Sequence, residues 1–278
     1  MELFKTRKDL IIDLREDLPE LVDKFNHFVL FPFKSKKNSV VGLTFIRDTE
    51  HLPKEVIVKI FSTNNADNEY NTLTRLKRQN LFVPNILFYK KPYLILERIK
   101  GVNLCDFINE KLVNVADLDS LNPENKKEIS TSIEKLADWF NQLHINNMIK
   151  NEDHSESVVL NKGDTQLRDF IYIPLKNEMY GLDFEDSYEG NHIDDVAWVC
   201  CSLLDTNPGI FEQSVPKAKI ELINIFLKHY YRNNPSIHFD FKYFTEKLIE
   251  NLNIVMGRRG LNMILNKENF IKELSRDM

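Results

Sequence analysis

Aspartates are concentrated between residues 160 and 199, where they alternate with leucine, phenylalanine and isoleucine. Unpaired carboxylates beside apolar surface cost free energy, so we expect a cation to hold them. Two short strands, 169–173 and 178–184, are predicted there with a polar turn between them. Carboxylates at the ends of adjacent strands can hold Mg²⁺, whose shell takes roughly one or two protein carboxylates with phosphate oxygens and water. The stretch is a candidate metal site, and solvated turn aspartates are the alternative. Its acidic residues are Asp164, Asp169, Asp183, Asp186, Asp194 and Asp195.

A lysine and a glutamate further upstream form a second candidate group. Lys59 lies in the apolar run EVIVKIF, which predicts a strand, and Glu69 lies in the first turn of a helix predicted over 67–79. A lysine at the end of a strand usually faces solvent, so alone it indicates no function. Followed by a helix that offers Glu69, it strengthens the prediction of a metal site at the aspartates downstream.

The elements that position these residues change from strand to helix along the chain. The β-branched and aromatic runs HFVLFPF, VVGLTFI and EVIVKIF predict an antiparallel meander, and PNILFY and residues 91–98 predict two more extended segments. Helical spacing of apolar residues predicts two short helices within 8–27, a long amphipathic helix over 123–149 and mainly helix beyond 195. We therefore predict an α+β chain, with one domain over 1–98 and a helical domain over 99–278.

Charge and glycine spacing exclude several functional classes. Lys and Arg number 37 against 42 Asp and Glu, a net charge of −5, so the chain lacks the basic excess of a protein held to nucleic acid mainly by charge, and no DNA is expected as a partner. The eight glycines nowhere match the dinucleotide fingerprint or the G-x-x-x-x-G-K-[ST] phosphate loop.

Cysteine usage and hydropathy suggest a cellular compartment. Cys105, Cys200 and Cys201 have no C-x-x-C spacing, which argues against a zinc ribbon or a disulfide framework. The first residues mix charges of both signs, and the apolar runs are far shorter than the roughly 18–20 residues that a membrane span needs. We expect a cytoplasmic protein with no membrane partner, in which Cys200, Cys201 and the phenylalanine-rich segments form core.

Taken together, the motifs resemble the protein-kinase-like superfamily over roughly residues 28–205. VIVKIF resembles the V-A-I-K strand, NEYNTLTRL the helix with the ion-paired glutamate, YLILERIKGVNL the hinge, KGDTQLRDFIY the catalytic loop and GLDFED the D-F-G segment. The H-G-D-x-x-x-x-N loop of atypical kinases and aminoglycoside-type phosphotransferases is the closer match, and GNHIDDVA is similar to their G-D-P-x-x-D-L-A. NEYNTLTRLKRQNLFVPNILFY also resembles the small KEOPS-complex kinase and its relatives, which include an archaeal tRNA kinase. The resemblance implies a bilobal fold, with a small antiparallel-sheet N-lobe and a mainly helical C-lobe.

The resemblance also implies how the N-lobe would bind nucleotide and which residue would meet the acceptor. Lys59 would bridge the α- and β-phosphates of ATP and be held by Glu69. Backbone groups of Glu97 and Ile99 in the hinge would meet adenine. Asp164 would orient the acceptor hydroxyl and take its proton late in the reaction.

The implied metal site and its support lie in the C-lobe. Asp183 would bind the Mg²⁺ that bridges the β- and γ-phosphates, and Asp169 stands at the position of the second metal ligand, so two ions are possible. Asp195 would brace the catalytic loop by accepting backbone N–H bonds. The implied cofactors are ATP and Mg²⁺.

Three departures from the family pattern carry physical consequences. Asp169 replaces the usual Asn and adds a negative charge near the phosphates, so we expect strong metal dependence. Lys162 replaces the family's His. The loop between the first two strands, SKKNS, has no glycine; Lys36 and Lys37 either reach the phosphates or belong to an ordinary charged turn.

The leading hypothesis is an ATP-dependent phosphotransferase that moves the γ-phosphate to a hydroxyl. It requires Lys59 and the aspartates to face one another across a shared crevice. The acceptor is left open between a small hydroxylated metabolite, a protein hydroxyl and an RNA 2′-hydroxyl. Basic clusters at 228–234 (KHYYRNN) and 256–260 (MGRRG) could meet phosphate or form solvated helix ends. The alternative is a nucleotide-binding pseudokinase or a scaffold subunit of a larger complex.

Overall fold

The structure is a computed structural model that describes residues 16–17, 28–33, 35, 37–46, 53–150, 157–207, 209–212 and 216–261. Apart from 16–17, the two helices predicted within 8–27 lie outside the described residues, and so does Lys36. The chain divides into two compact units. The sheet unit contains the described residues up to Lys77 and Val83–Ile99; the helical unit contains Arg78–Phe82 and the described residues from Lys100 onward.

The sheet unit contains a five-stranded antiparallel sheet with the strand order β1-β2-β3-β5-β4. Its strands are β1 (Phe28–Phe33), β2 (Ser39–Phe45), β3 (Glu55–Ile60), β4 (Ile86–Lys90) and β5 (Tyr93–Glu97). Val56 and Val58 of β3 alternate with Ile57 and Lys59, so the valines pack into a core with Val41, Leu43 and Phe45 of β2. The predicted meander is confirmed.

Helix α1 (Ala66–Arg78) belongs to the sheet unit, except for its last residue, Arg78, which belongs to the helical unit. Its buried face contains Glu69, Leu73 and Leu76, at the i, i+4 and i+7 spacing of an amphipathic helix. Asp67 and Glu69 occupy the first turn, where negative charge complements the helix dipole. The helix therefore carries a buried carboxylate near its N-terminus.

The helical unit is built on helices and short strand pairs. Its helices are α2 (Leu104–Lys111), α3 (Pro123–Asn146), α4 (His192–Asp205), α5 (Lys217–Asn233) and α6 (Phe241–Arg259). Its strands are β6 (Val102–Asn103), β7 (Ile149–Lys150), β8 (Ser157–Asn161), β9 (Phe170–Ile173), β10 (Glu178–Gly181) and β11 (Tyr188–Gly190). Helix α3 packs against α5, and α4 packs against α6. Cys200 and Cys201 are fully buried, as predicted.

Two predicted element ends differ from the structure. The long helix ends at Asn146 instead of 149, with Asn147 as its C-cap, because the chain then enters the short strand β7. The strand predicted over 178–184 ends at Gly181, because Asp183 adopts a left-handed backbone with φ 63°, which cannot continue a strand. Within the described ranges, no helix has the length and apolar character to cross a bilayer. The predicted α+β class is confirmed.

Candidate functional site

In the sheet unit, Lys59 and Glu69 form a buried ion pair. Lys59 Nζ lies 2.5 Å from Glu69 Oε2, and only 8% and 1% of the two side chains are exposed. The pair forms because β3 directs Lys59 to the same side of the sheet on which α1 presents its buried first turn. Lys59 Nζ also lies 4.8 Å from the centre of the Phe61 ring. A cation so deeply buried needs its anion, and the pair fixes the position of the ammonium group.

The predicted adenine-binding segment begins at Glu97, the last residue of β5. The backbone N–H of Glu97 donates to the Asn85 carbonyl at 2.9 Å, so the carbonyl is the backbone group that Glu97 would offer to adenine. The Glu97 carboxylate accepts from the Asn85 side-chain amide at 2.5 Å. Ile99 is the last residue of the sheet unit and is half-buried. The adenine-binding role of both residues stays a prediction.

In the helical unit, the predicted catalytic loop begins directly after β8. Gly163 has φ 71°, and a Cβ there would lie 2.3 Å from the Asp186 carbonyl oxygen, so the turn requires glycine. Asp164 follows with φ 29°, and Asp183 has φ 63°. Positive φ costs a non-glycine residue on the order of 1 kcal/mol or more and is concentrated at functional sites. Asp164 and Asp183 are thus held in uncommon backbone conformations.

Asp195, in the first turn of α4, is fully buried against this loop. Its Oδ2 accepts from the Lys162 N–H at 2.6 Å, and its Oδ1 accepts from the Gly163 N–H at 3.1 Å and the Thr165 hydroxyl at 3.1 Å. His144 Nε2 lies 3.2 Å from Oδ2 and donates to it. One carboxylate therefore fixes the backbone on the N-terminal side of Asp164, in the arrangement that the resemblance implies for Asp195.

The side chain of Lys162 lies beneath the candidate metal ligands. Its Nζ donates to Asp169 Oδ2 at 3.2 Å and to the Asp183 backbone carbonyl at 2.9 Å, and 1% of the side chain is exposed. Burial alone would lower the pKa of this ammonium, yet the pKa lies above its ordinary value because Asp169 and Asp183 stabilise the charge. Burial raises the pKa of the Asp169 carboxyl and the nearby Asp183 adds to this, whereas Lys162 lowers it and so favours the charged form. Lys162 thus fixes the segment that begins at Asp183 and partly compensates the additional charge of Asp169.

The donor set fits a hard divalent cation. Asp183 is exposed while its backbone is held by Lys162, and carboxylate oxygen is the ligand that Mg²⁺ prefers. Asp169 Oδ2 accepts from Lys162 and from the Gln166 N–H at 3.0 Å, so Oδ1 is the oxygen that it would offer to a metal ion. Asp183 therefore fits the role of the first ligand better than Asp169 fits that of the second.

The carboxylate of Asp164 is held by a residue that the sequence motifs did not assign. Arg258, in the last turn of α6, donates from its two terminal nitrogens to the two Asp164 oxygens at 2.9 and 3.0 Å. This hydrogen bonding to Asp164 raises the pKa of the guanidinium. The sequence pointed to Arg258 only as part of the basic cluster MGRRG, because nothing in the local pattern indicates contact with a residue 94 positions earlier.

Comparisons with known proteins identify the fold. No protein-family model matches the sequence, and no match was found among curated proteins. The aminoglycoside phosphotransferase APH(3″)-Id from Streptomyces rimosus has 11% identity and a TM-score of 0.57, with 90% of this chain and 98% of that chain covered. The choline kinase LicA from Streptococcus pneumoniae has 15% identity and a TM-score of 0.55, with 98% and 99% covered. The amicoumacin kinase hAmiN, in complex with AMP-PNP, Ca²⁺ and Ami, has 12% identity and a TM-score of 0.53, with 98% and 95% covered.

At these identities the likeness establishes the fold. The chain has the fold of the atypical protein-kinase-like phosphotransferases, and the resemblance that the motifs indicated is confirmed at that level. The likeness covers nine-tenths or more of each chain, so it is not confined to one unit. The finer resemblance to the KEOPS-complex kinase and a tRNA kinase stays a prediction.

Proposed function

We propose that this chain is an ATP-dependent phosphotransferase that moves the γ-phosphate of ATP to a hydroxyl group. One observation carries the proposal: the loop after β8 holds Asp164 in a left-handed backbone, with the preceding N–H groups bound to the buried Asp195. A backbone that is both strained and tightly held is typical of a catalytic residue. The same fold in three phosphotransferases and kinases supports the assignment.

Nucleotide binding falls to the sheet unit in this proposal. Lys59 would contact the α- and β-phosphates, and its ion pair with Glu69 keeps the ammonium in place before ATP arrives. The Glu97 carbonyl and a backbone group of Ile99 would meet the adenine edge. AMP-PNP in the hAmiN complex supports ATP as the phosphate donor.

The helical unit would carry the acceptor chemistry. Asp164 would accept a hydrogen bond from the acceptor hydroxyl and take its proton as the oxygen bonds to the γ-phosphorus and the bond to ADP breaks. Asp183, and in second place Asp169 through Oδ1, would hold Mg²⁺. When bound, Mg²⁺ neutralises negative charge that develops on the phosphate oxygens. Lys162 keeps Asp183 in position by binding its backbone carbonyl.

Small hydroxylated molecules are the proposed class of acceptor. The choline, amicoumacin and aminoglycoside enzymes that share the fold are named for small molecules, which supports this class over a macromolecule. RNA as an acceptor stays a prediction from the sequence resemblance.

The proposed location of the protein is the cytoplasm. All three cysteines are free thiols, as is usual in a reducing compartment, and this supports the proposal.

A nucleotide-binding pseudokinase is the second candidate. It is favoured by the Arg258 guanidinium, which occupies both oxygens of the Asp164 carboxylate. The two candidates differ in one measurable property, because only the enzyme transfers phosphate in an Asp164-dependent manner.

The test measures transfer of phosphate from radiolabelled ATP to pools of sugars, amino alcohols, hydroxy acids and total RNA. Asp164→Asn is expected to lower transfer by about 100-fold or more while ATP binding survives, because a positioned general base contributes a factor of this size. Asp119→Asn is the matched control, because that side chain is 82% exposed and pairs only at the surface with Lys126. Equal transfer by wild type and Asp164→Asn, or ATP binding without transfer to any pool, would rule out the enzyme.

A further inference from the structure

Arg258 and Asp164 form a bidentate ion pair at the surface of the helical unit. Both terminal nitrogens of the guanidinium donate to the carboxylate, and 36% of the arginine side chain and 24% of the aspartate side chain are exposed. The Trp198 ring lies 5.7 Å from the guanidinium carbon and helps to fix its plane. The pair is therefore open to solvent at the carboxylate that would receive the acceptor.

The Arg258 guanidinium has N–H groups that Asp164 does not bind. Arginine has further N–H groups beyond the two that bind Asp164, and these groups match carboxylate and phosphate oxygens better than a lysine ammonium does. Its charge is permanent, since the hydrogen bond to Asp164 and the nearby charges of Asp164 and Asp186 raise its pKa further. Asp164 balances the charge of Arg258 and Asp186 is a second carboxylate near the group, so hydrogen-bond donors, and not an excess of positive charge, are what the guanidinium offers to an acceptor.

Arg258 and its neighbour Arg259 bind different carboxylates. Arg259, the next residue, pairs instead with Asp205 at 2.6 Å and with Glu212 at 3.5 Å, and its guanidinium lies over the Phe211 ring. The two arginines therefore bind different carboxylates, although both lie in the last turn of α6. Arg258 alone is directed to the predicted catalytic carboxylate.

The position of Arg258 limits what the acceptor can carry. A hydroxyl that donates to Asp164 lies about 3 Å from a carboxylate oxygen, so the guanidinium nitrogen that binds this same oxygen lies within about 6 Å of the hydroxyl oxygen. A carboxylate or phosphate beside the hydroxyl can accept from the guanidinium N–H groups that do not bind Asp164, whereas an ammonium group cannot. An amino alcohol would bring its ammonium group close to the guanidinium.

We propose that Arg258 selects an acceptor whose hydroxyl lies close to a carboxylate or phosphate group. The inference rests on the proposed phosphotransferase function and gives its acceptor a charge class. Two sources share this chemistry: a small hydroxy acid or sugar phosphate, and the ribose phosphate of RNA.

The experiment compares three acceptors built on one skeleton. Glycerate, glycerol and 3-amino-1,2-propanediol present the same hydroxyls with a negative, a neutral and a positive group. Pools of sugar phosphates, neutral sugars and aminoglycosides, together with short RNA, extend the three classes. Transfer from radiolabelled ATP is measured for the wild type, Arg258→Gln and Asp164→Asn, with Arg259→Gln as the matched control that removes the neighbouring guanidinium.

We expect Asp164-dependent transfer to be most efficient with anionic acceptors. Arg258→Gln should lower kcat/KM for them by about tenfold or more, mainly through KM, and should affect positively charged acceptors least. Arg259→Gln should change the ratio between the classes by less than about twofold, since its partners are elsewhere. Arg258→Lys keeps the positive charge but not the paired N–H groups of the guanidinium. It should retain part of the preference for anionic acceptors that Arg258→Gln loses, and this result would show that the loss in Arg258→Gln is not a failure to fold.

Three outcomes would overturn the inference. Preference of the wild type for neutral or positive acceptors would do so while the phosphotransferase function stands. An equal loss with all classes in Arg258→Gln would show that the arginine only positions Asp164. Absence of Asp164-dependent transfer to every class would remove the proposed function and the acceptor class together. Transfer to RNA but not to small anions would support the charge class and identify RNA as its source.

Discussion

Replacing Asp195 with asparagine tests whether one buried carboxylate holds the catalytic loop. Two of its donors can adapt to an amide: the Thr165 hydroxyl can rotate and the His144 ring can change tautomer. The backbone N–H groups of Lys162 and Gly163 cannot, and each binds a different oxygen. In either orientation of the new amide, one buried N–H therefore loses its acceptor.

The expected loss of stability follows from these contacts. A buried N–H without an acceptor costs about 1–3 kcal/mol, and the remaining hydrogen bonds weaken because their acceptor is no longer charged. We expect Asp195→Asn to lower the free energy of unfolding by about 3 kcal/mol. The measurement is urea denaturation followed by circular dichroism, with the slope m unchanged.

Asp194→Asn is the matched control, one position earlier in the same helix turn. Asp194 accepts from the hydroxyls of Tyr188 at 3.0 Å and Tyr243 at 2.8 Å, and a phenolic hydroxyl can accept from an amide as well as donate. Its replacement should cost less than about 1 kcal/mol. If the two variants differ by less than about 1 kcal/mol, the two backbone N–H groups do not depend on Asp195 and the reasoning is wrong.

Three further results are expected. Chelation of divalent cations should weaken ATP binding by about tenfold or more, because Asp169 and Asp183 then repel the phosphates; equal affinity by calorimetry with and without EDTA would contradict this. Burial lowers the pKa of His192 to about 3 in the folded chain, so as the pH falls the unfolded chain binds a proton on this imidazole before the folded chain does. The contribution of His192 to stability is therefore complete only above about pH 7.5 and falls by about 2 kcal/mol from pH 7 to pH 5. His192→Gln should remove that part of the slope in urea denaturation. Burial raises the pKa of both the Cys105 and the Cys200 thiol, but Cys105 is half-buried and Cys200 is fully buried. Iodoacetamide should therefore label Cys105 first, as mass spectrometry would show.

The sheet and helix α1 were predictable from the sequence because their signals are local, whereas the pairing of Lys59 with Glu69 was expected from the family resemblance. Alternation in EVIVKIF identifies β3, and helical spacing with an acidic first turn identifies α1. The roles of Asp164, Asp183 and Asp195 were predicted from the order of the family motifs along the chain. A motif indicates the chemistry of a residue by resemblance but not the contacts that its side chain makes. The apolar pattern predicted that the strand beginning at residue 178 extends to 184. It ends at Gly181 because the backbone at Asp183 is left-handed.

The contacts that sequence reasoning missed depend on tertiary packing. Arg258 reaches Asp164 across 94 residues because α6 packs on α4, and no local pattern encodes that approach. Lys162 was recognised as a departure from the family's His, but a single lysine gives no indication that it is almost fully buried between Asp169 and Asp183. Long-range ion pairs of this kind require the packed structure.

The Lys162 ammonium makes two departures from the family pattern a single electrostatic unit. Lysine in place of His adds one positive charge and Asp169 in place of Asn adds one negative charge, and the two groups lie 3.2 Å apart. Lys162→His or Asp169→Asn alone would leave a buried charge without its partner, whereas both together would remove the pair cleanly. The two positions should therefore show strong epistasis. Each single variant, Lys162→His or Asp169→Asn, is expected to be less stable than both the wild type and the double variant.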